Sequence, residues 1–371
     1  MNTPLQSGSL KIATIFGIPI RVHFSWLIIF GLITWSLSTF YFPKTAPSLP
    51  VRFYWLSGAV AALMLFVSVA LHELSHSFVA LKYKLPISSI TLFIFGGVSQ
   101  MSGEPPTPKV EFRMAVAGPL ASFFLALLFF AVYRSIESEV LKALFLYLAQ
   151  LNLVLGVFNL IPGFPMDGGR VVRAFLWSRT NDFFYATRKA ANYGQKIALL
   201  FIIFGLFSIF TGLSSGLWLM LIGWFLYTAA QASYQQAGLQ EVLRGIKVRD
   251  IMVKDVVSLS PDMTVDEAVN DFFLKYGYGG FPVVDKDRFL GFLSMKEVKD
   301  IPREAWKVKR ISEIFIPHDK KREISGSSDA MKALEMMISE DQGRLVVTDG
   351  GNMEGIITRN GIAKYMQIMG K

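Results

Sequence analysis

Apolar residues recur in long unbroken runs along the first two thirds of the chain. Runs at about 24–42, 53–81, 112–133, 140–161, 197–213 and 216–233 are each of membrane-crossing length at about 1.5 Å per residue. They predict about six transmembrane helices. Residues 10–22 read instead as two short strands turned at Gly17-Ile18-Pro19. Residues 87–101 are apolar and β-rich but too short to span, and carry Gly96-Gly97. Non-helical backbone at membrane depth must be buried in protein or line a cavity, so a re-entrant β-hairpin is expected there. Its open edge could take an extended peptide or could simply pack. The first 22 residues lack a charged start followed by a short apolar core, so no cleavable leader is expected.

After about residue 240 the pattern changes. Residues 247–371 read as soluble and contain a repeat of just over 60 residues. Phe281-Pro282-Val283-Val284-Asp285 and Gly291-Phe292-Leu293-Ser294 recur as Leu345-Val346-Val347-Thr348 and Gly355-Ile356-Ile357-Thr358. Each unit reads strand, helix, strand, strand, helix, and two units would bury a shared core. The expected division is a membrane domain over 1–240 and a soluble pair over 241–371, with repeats at about 247–301 and 308–369.

Composition sharpens this picture. The chain of 371 residues is 52% hydrophobic, with net charge +9 and no cysteine. Disulfides, thiol nucleophiles and Cys-ligated metals are excluded. The charge excess lies wholly in residues 1–240, with 16 basic and 7 acidic residues against 21 of each in 241–371. The basic residues gather in particular loops, as topology signals do, so no nucleic-acid partner is expected. If six helices cross, both termini lie in the cytoplasm of a bacterial or archaeal cell membrane.

Candidate chemistry sits in the second run. His72-Glu73-Leu74-Ser75-His76 interrupts an apolar helix, where ionisable groups are costly and usually functional. Residues at i and i+4 share a helix face, so the two imidazoles can bind one Zn²⁺. Glu73 could then act as general base on a water. Counted back from Lys82, His76 lies about 9 Å and His72 about 15 Å below the interface. Of the seven acids in 1–240, only Glu73 and Asp167 are expected in apolar surroundings. Asp167 is a third ligand, a helix N-cap, or both. His23, at the head of the first run, reads as interfacial.

His72-Glu73-x-x-His76 in one span, with Asn159-x-x-Pro162 and Asp167-Gly168 after a later one, resembles the site-2 proteases, intramembrane zinc metalloproteases. Residues 247–371 resemble a tandem CBS domain. The resemblance implies a multi-pass α-helical membrane protein with an α/β CBS pair. It implies His72, His76 and Asp167 as zinc ligands, one Zn²⁺ per chain, and Glu73 as catalytic base. Asn159 is suggested as a substrate-positioning or oxyanion-side amide. Single-span membrane proteins in the lipid bilayer are the implied substrates. The CBS pair implies regulation, an adenine nucleotide ligand and a homodimer. Such units often end in Thr/Ser-x-x-Asp; here Ser294-Met295-Lys296-Glu297 and Thr358-Arg359-Asn360-Gly361 depart from it, leaving Glu297 as a substitute. The other classes open to the sequence are a CBS-gated transporter and a catalytically inactive scaffold. Ionisable groups collected at one point, rather than along several spans, argue against a transport path.

Overall fold

The computed structural model describes residues 8–369 except 48–49, 95, 102, 214, 287, 318, 320–321 and 341. Part of the 44–52 loop and the first of the two serines at 214–215 therefore lie outside the described residues. By its contacts the chain divides into two compact units, Met1–Ala237 and Gly238–Lys371.

The first unit opens with β1 (Ser9–Ile15) and β2 (Ile18–His23), paired antiparallel. Then come α1 (Ser25–Ser36), a π-helical stretch (Leu37–Tyr41) and α2 (Phe42–Thr45). The long α3 (Val51–Lys82) starts after Pro50, which holds the N-cap position in an extended conformation. Its buried side is mostly small: Gly58, Ala61, Ala62, Ser68, Ser77 and Ala80 pack inward. Leu56, Leu63 and Val67 stay more than half exposed. That inversion is what lipid imposes, since helices there associate by close packing rather than by hiding apolar surface from water.

Next come β3 (Ile87–Phe93) and β4 (Gly96–Met101), the hairpin. The sequence left it separate from the first two strands. In the structure β2 pairs parallel to β3, giving one sheet in the order β1-β2-β3-β4. Non-local pairing of this kind leaves no signal in either segment alone.

The helices α4 (Pro108–Ser135), α5 (Glu139–Asn159), α6 (Asp167–Thr180), α7 (Phe183–Phe210) and α8 (Ser215–Leu243) follow. Thr107 caps α4 by accepting from the Val110 N–H, with Pro108 in its first turn. Asn181, left-handed at φ 56°, ends α6, and the Asp182 side chain caps α7.

Among the described residues five segments are long and apolar enough to cross a membrane: Ser25–Thr45, α3, α4, α5 and α7. The sixth apolar run lies in α8, where Trp218, Trp224, Tyr227, Thr228 and Gln231 dilute its hydropathy. The run expected at 197–213 is the later part of α7, which begins at Phe183.

The second unit contains α9 (Val248–Ile251), then α10 (Val265–Glu267), continued as a π-helical stretch (Ala268–Phe273) and α11 (Leu274–Tyr276). Strands β5 (Gly280–Asp285) and β6 (Arg288–Ser294) precede α12 (Met295–Lys299). The second repeat follows short β7 (Ile316–Pro317): β8 (Glu323–Ser325), α13 (Ala330–Ser339), β9 (Arg344–Asp349), β10 (Asn352–Thr358) and α14 (Arg359–Met369). The sheet runs β5-β6-β10-β9-β8, with β7 on β6. Each repeat has its own core, around Phe281 and Leu293 in one and Met337 and Leu345 in the other. The shared core expected between them is a small seam of Phe289, Phe292, Val346 and Ile356.

Candidate metal centre

Three segments distant in sequence meet at one point in the first unit. Helix α3 supplies His72 and His76, one turn apart and edge to face, with ring centroids 4.9 Å apart. The first turn of α6 supplies Asp167. His72 Nε2 lies 3.2 Å from His76 Nε2 and 3.1 Å from Asp167 Oδ2, and His76 Nε2 lies 3.0 Å from the same oxygen. All three side chains are largely buried.

The far side of each ring is held. His76 Nδ1 donates to the Met114 carbonyl at 2.7 Å, and His72 Nδ1 meets Ser122 Oγ at 2.8 Å. A carbonyl only accepts, so the His76 proton sits on Nδ1 and the Nε2 lone pair faces inward. Two inward imidazole nitrogens and a carboxylate oxygen thus converge on one point. A tetrahedral Zn²⁺ with bonds near 2.0–2.1 Å separates its ligand atoms by about 3.3 Å. The spacing, the donor set and the held outer nitrogens all fit such an ion.

Helix α4 is the back wall. Glu111, Met114, Gly118 and Ser122 follow one another at three- and four-residue steps, a single helix face. A Cβ on Gly118 would stand 2.2 Å from His76 Nε2 and 2.6 Å from His72 Nε2. Only glycine leaves the donors free. In the sequence Gly118 and Ser122 are two small residues of an apolar run. Their spacing was the signal that they face one side together.

Glu111 corrects an expectation. It is fully buried, a third acid in apolar surroundings besides Glu73 and Asp167. Arg173 of α6 pairs with it, Nε donating to Oε1 at 2.6 Å, while its guanidinium stacks on Phe164 and Phe183. This pair ties the wall behind the histidines to the helix that carries Asp167.

Asp167 is not the side-chain cap of α6. Met166 holds the N-cap position, and the carboxylate turns to the histidines from the first turn, where the helix dipole favours an anion. The irregular stretch before it folds on itself, Gly163 N–H to Ile161 O and Met166 N–H to Gly163 O, and docks on α7 through Phe164 N–H to Ala190 O.

A cavity of about 210 Å³ opens in front of the cluster, lined by Glu73, Ser77, Gly97, Ser99, Asn159 and Arg170 besides the three candidate ligands. Glu73 and Asn159 therefore share it. The Asn159 amide spends one N–H on Leu155 O at 3.0 Å. Gly97 of β4 is there of necessity, because a Cβ would come within 2.7 Å of Glu73 Cγ. His23 lies apart from this group, its Nδ1 on Ser25 Oγ at 2.8 Å.

Comparison with known proteins identifies the family. The chain is 34% identical to Rip3 of Mycobacterium tuberculosis over 367 residues, which is 97% of this chain and 93% of that protein. It is also 34% identical to zinc metalloprotease MJ0392 of Methanocaldococcus jannaschii over 366 residues, 97% of each. The model for Peptidase family M50 matches residues 60–144 and 134–204. The chain belongs to peptidase family M50. The CBS domain model matches residues 248–304 and 316–368, so this M50 member carries a CBS pair. The solved site-2 protease from Methanocaldococcus jannaschii aligns at 36% identity over 61% of this chain and 95% of that one, with TM-score 0.45. An M50 chain with five apolar segments of spanning length among its described residues is a membrane protein of a zinc metalloprotease family.

In the second unit a cleft of about 730 Å³ is lined by Asp255, Tyr278, Arg344, Thr358, Arg359 and Asn360 among others. A smaller one, about 260 Å³, lies by Ser294 and Arg322. Glu297, the expected substitute for a ribose-binding aspartate, accepts from the Ser294 N–H at 2.9 Å as part of a capping box. Its carboxylate is committed to the start of α12.

Proposed function

We propose that this chain is an intramembrane zinc endopeptidase that cuts membrane-spanning segments of single-span proteins. One observation carries the reading: His72 Nε2, His76 Nε2 and Asp167 Oδ2 converge at 3.0–3.2 Å beside a cavity that also holds Glu73. His72, His76 and Asp167 would hold one Zn²⁺ per chain. Bound there, the ion would polarise the scissile carbonyl and acidify the attacking water. Glu73 takes the proton of that water and passes it to the leaving nitrogen. Asn159 offers its second amide N–H to the substrate. Ser77, Ser99 and Glu73 give water a polar place in otherwise apolar surroundings.

A helical substrate keeps its carbonyls in backbone hydrogen bonds and must unwind first. β4 is an edge of its sheet, and Gly97, Ser99 and Met101 line the cavity. An unwound stretch would add to that edge as a further strand.

Residues 1–240 would then do the chemistry, and residues 241–371 would regulate it as a CBS homodimer. An adenine nucleotide would take the larger cleft, with Arg344 and Arg359 near its phosphates. Helix α8, about 43 Å long at 1.5 Å per residue, would be the sixth crossing, leaving both termini in the cytoplasm.

Full-length protein in detergent should contain about one zinc per chain and cleave a single-span segment. Glu73→Gln should abolish cleavage and keep the zinc. Cleavage that persists in Glu73→Gln overturns the mechanism. Calorimetric titration of the same protein with ATP, ADP and AMP tests the cleft; no heat at millimolar nucleotide ends that part of the reading.

A further inference from the structure

Asp167, Arg170 and Arg173 lie on one face of α6, each three residues from the next. Asp167 closes the candidate metal cluster and Arg173 is taken by Glu111. Arg170 stands between them and lines the cavity with Glu73 and Asn159. It has no hydrogen bond or ion pair to any described residue. The charges that act on it are Glu73 and Asp167 in the cavity, with Glu111 and Arg173 behind it.

A guanidinium has five N–H donors and remains charged. Held in poorly hydrated surroundings without a partner, it is an acceptor site for an anion that arrives later. Peptide hydrolysis produces an anion at this place twice. The carbonyl oxygen becomes negative as water adds, and the product ends in a carboxylate. Both form in the cavity that Arg170 lines.

We propose that Arg170 is a catalytic residue of this cavity: its guanidinium donates to the scissile carbonyl oxygen as that oxygen becomes anionic, and keeps the same oxygen in the carboxylate product. The proposal rests on the peptidase reading. The water oxygen bonds to the carbonyl carbon, and the carbonyl π pair moves onto the oxygen facing Arg170. One water proton goes to Glu73. The carbon–nitrogen bond then breaks, its electron pair stays on nitrogen, and nitrogen takes that proton from Glu73. The second water proton leaves when the product carboxyl ionises. Arg170 gives up no proton. Asn159 is the lesser candidate for this task, being neutral and already bonded to Leu155 O.

The test uses Arg170→Gln and Arg170→Lys in the full chain, with three readouts. Zinc content should match wild type in both. With Arg170→Gln, kcat should fall about 10²–10³-fold with KM changed less than about threefold, the pattern of a lost oxyanion donor. Arg170→Lys should recover part of kcat. Third, the Glu73→Gln background removes turnover and allows binding to be read directly. There, a product peptide ending in a carboxylate should bind more tightly than its carboxamide, and adding Arg170→Gln should erase that preference. A kcat within about threefold of wild type in Arg170→Gln overturns the proposal, as does a carboxylate preference that survives. Zinc loss in both variants also overturns it, because Arg170 would then act by placing Asp167. If wild type cleaves nothing, the peptidase reading fails, and the binding comparison still reports on Arg170 by itself.

Discussion

The two units treat charge in opposite ways. Among the described residues of the membrane unit, His72, His76, Asp167 and Glu111 are buried and gathered at one place, and the partly buried Glu73, Arg170 and Arg173 stand around them. In the CBS unit charges are many, balanced in sign and mostly at the surface, and its larger cleft is lined by apolar Val253, Val256, Phe281 and Pro282 together with polar groups such as Asp255, Arg344 and Arg359. Where no water is at hand each charge needs a fixed partner, so one substitution reaches several residues. Where water is at hand charges are individually cheap, and the fold depends on its apolar seams.

Three pairs of substitutions probe this contrast, from the largest effect to the smallest. Gly118→Ala should eliminate zinc retention and cleavage, since its Cβ would collide with both ring nitrogens. The matching change in the CBS cleft, Gly279→Ala, meets nothing within 4 Å and should leave stability within about 0.5 kcal/mol. Metal analysis of the first and thermal unfolding of the second would show whether site glycines differ as described. A Gly118→Ala protein with full zinc would break the comparison.

Glu111→Gln should destabilise the membrane unit by about 3–5 kcal/mol, because it strands Arg173 as a buried unpaired cation. Asp329→Asn removes the partner of Lys247 in a pair that is 43% and 59% exposed, and should cost no more than about 1 kcal/mol. Denaturant titration of both variants compares one pair with the other.

Ser122→Ala leaves His72 Nδ1 without its hydroxyl and should weaken zinc affinity about 10–100-fold in chelator competition, with the fold intact. Thr264→Ala, at a capping box of the CBS unit, should cost about 1 kcal/mol and leave zinc untouched. The Thr264 backbone N–H, with its hydroxyl, also holds the exposed Glu267 carboxyl below its usual range. A depressed carboxylate stabilises above its unfolded value, so this contribution is present at neutral pH. It is lost as the pH falls through the carboxylate range.

Much of this was legible in the residues. Apolar runs located the spanning helices because lipid demands length and hydropathy whatever the neighbours are. His72 and His76 announced themselves because a helix fixes the relation of i to i+4 locally. The repeat at Phe281–Asp285 and Leu345–Thr348 showed the twofold build of the second unit. Asp167 was a candidate only through its setting, since nothing local ties it to a helix some ninety positions earlier. Glu111 was misjudged because its partner Arg173 is 62 positions away. Arg170 looked like one more basic residue of a topology loop.

By itself, then, the sequence determined which segments enter lipid, which helix face holds the paired imidazoles, and that a second, water-exposed domain follows. Those are properties of local periodicity and of solvent, which act on each stretch alone. Only the tertiary structure decided that Asp167 meets the histidines, that Met114 and Ser122 aim their ring nitrogens, that Gly118 and Gly97 must lack a side chain, and that Arg170 faces the cavity with no partner among the described residues. Such facts depend on which surfaces pack together, and close packing at ångström range is set by the whole fold rather than by any one segment of it.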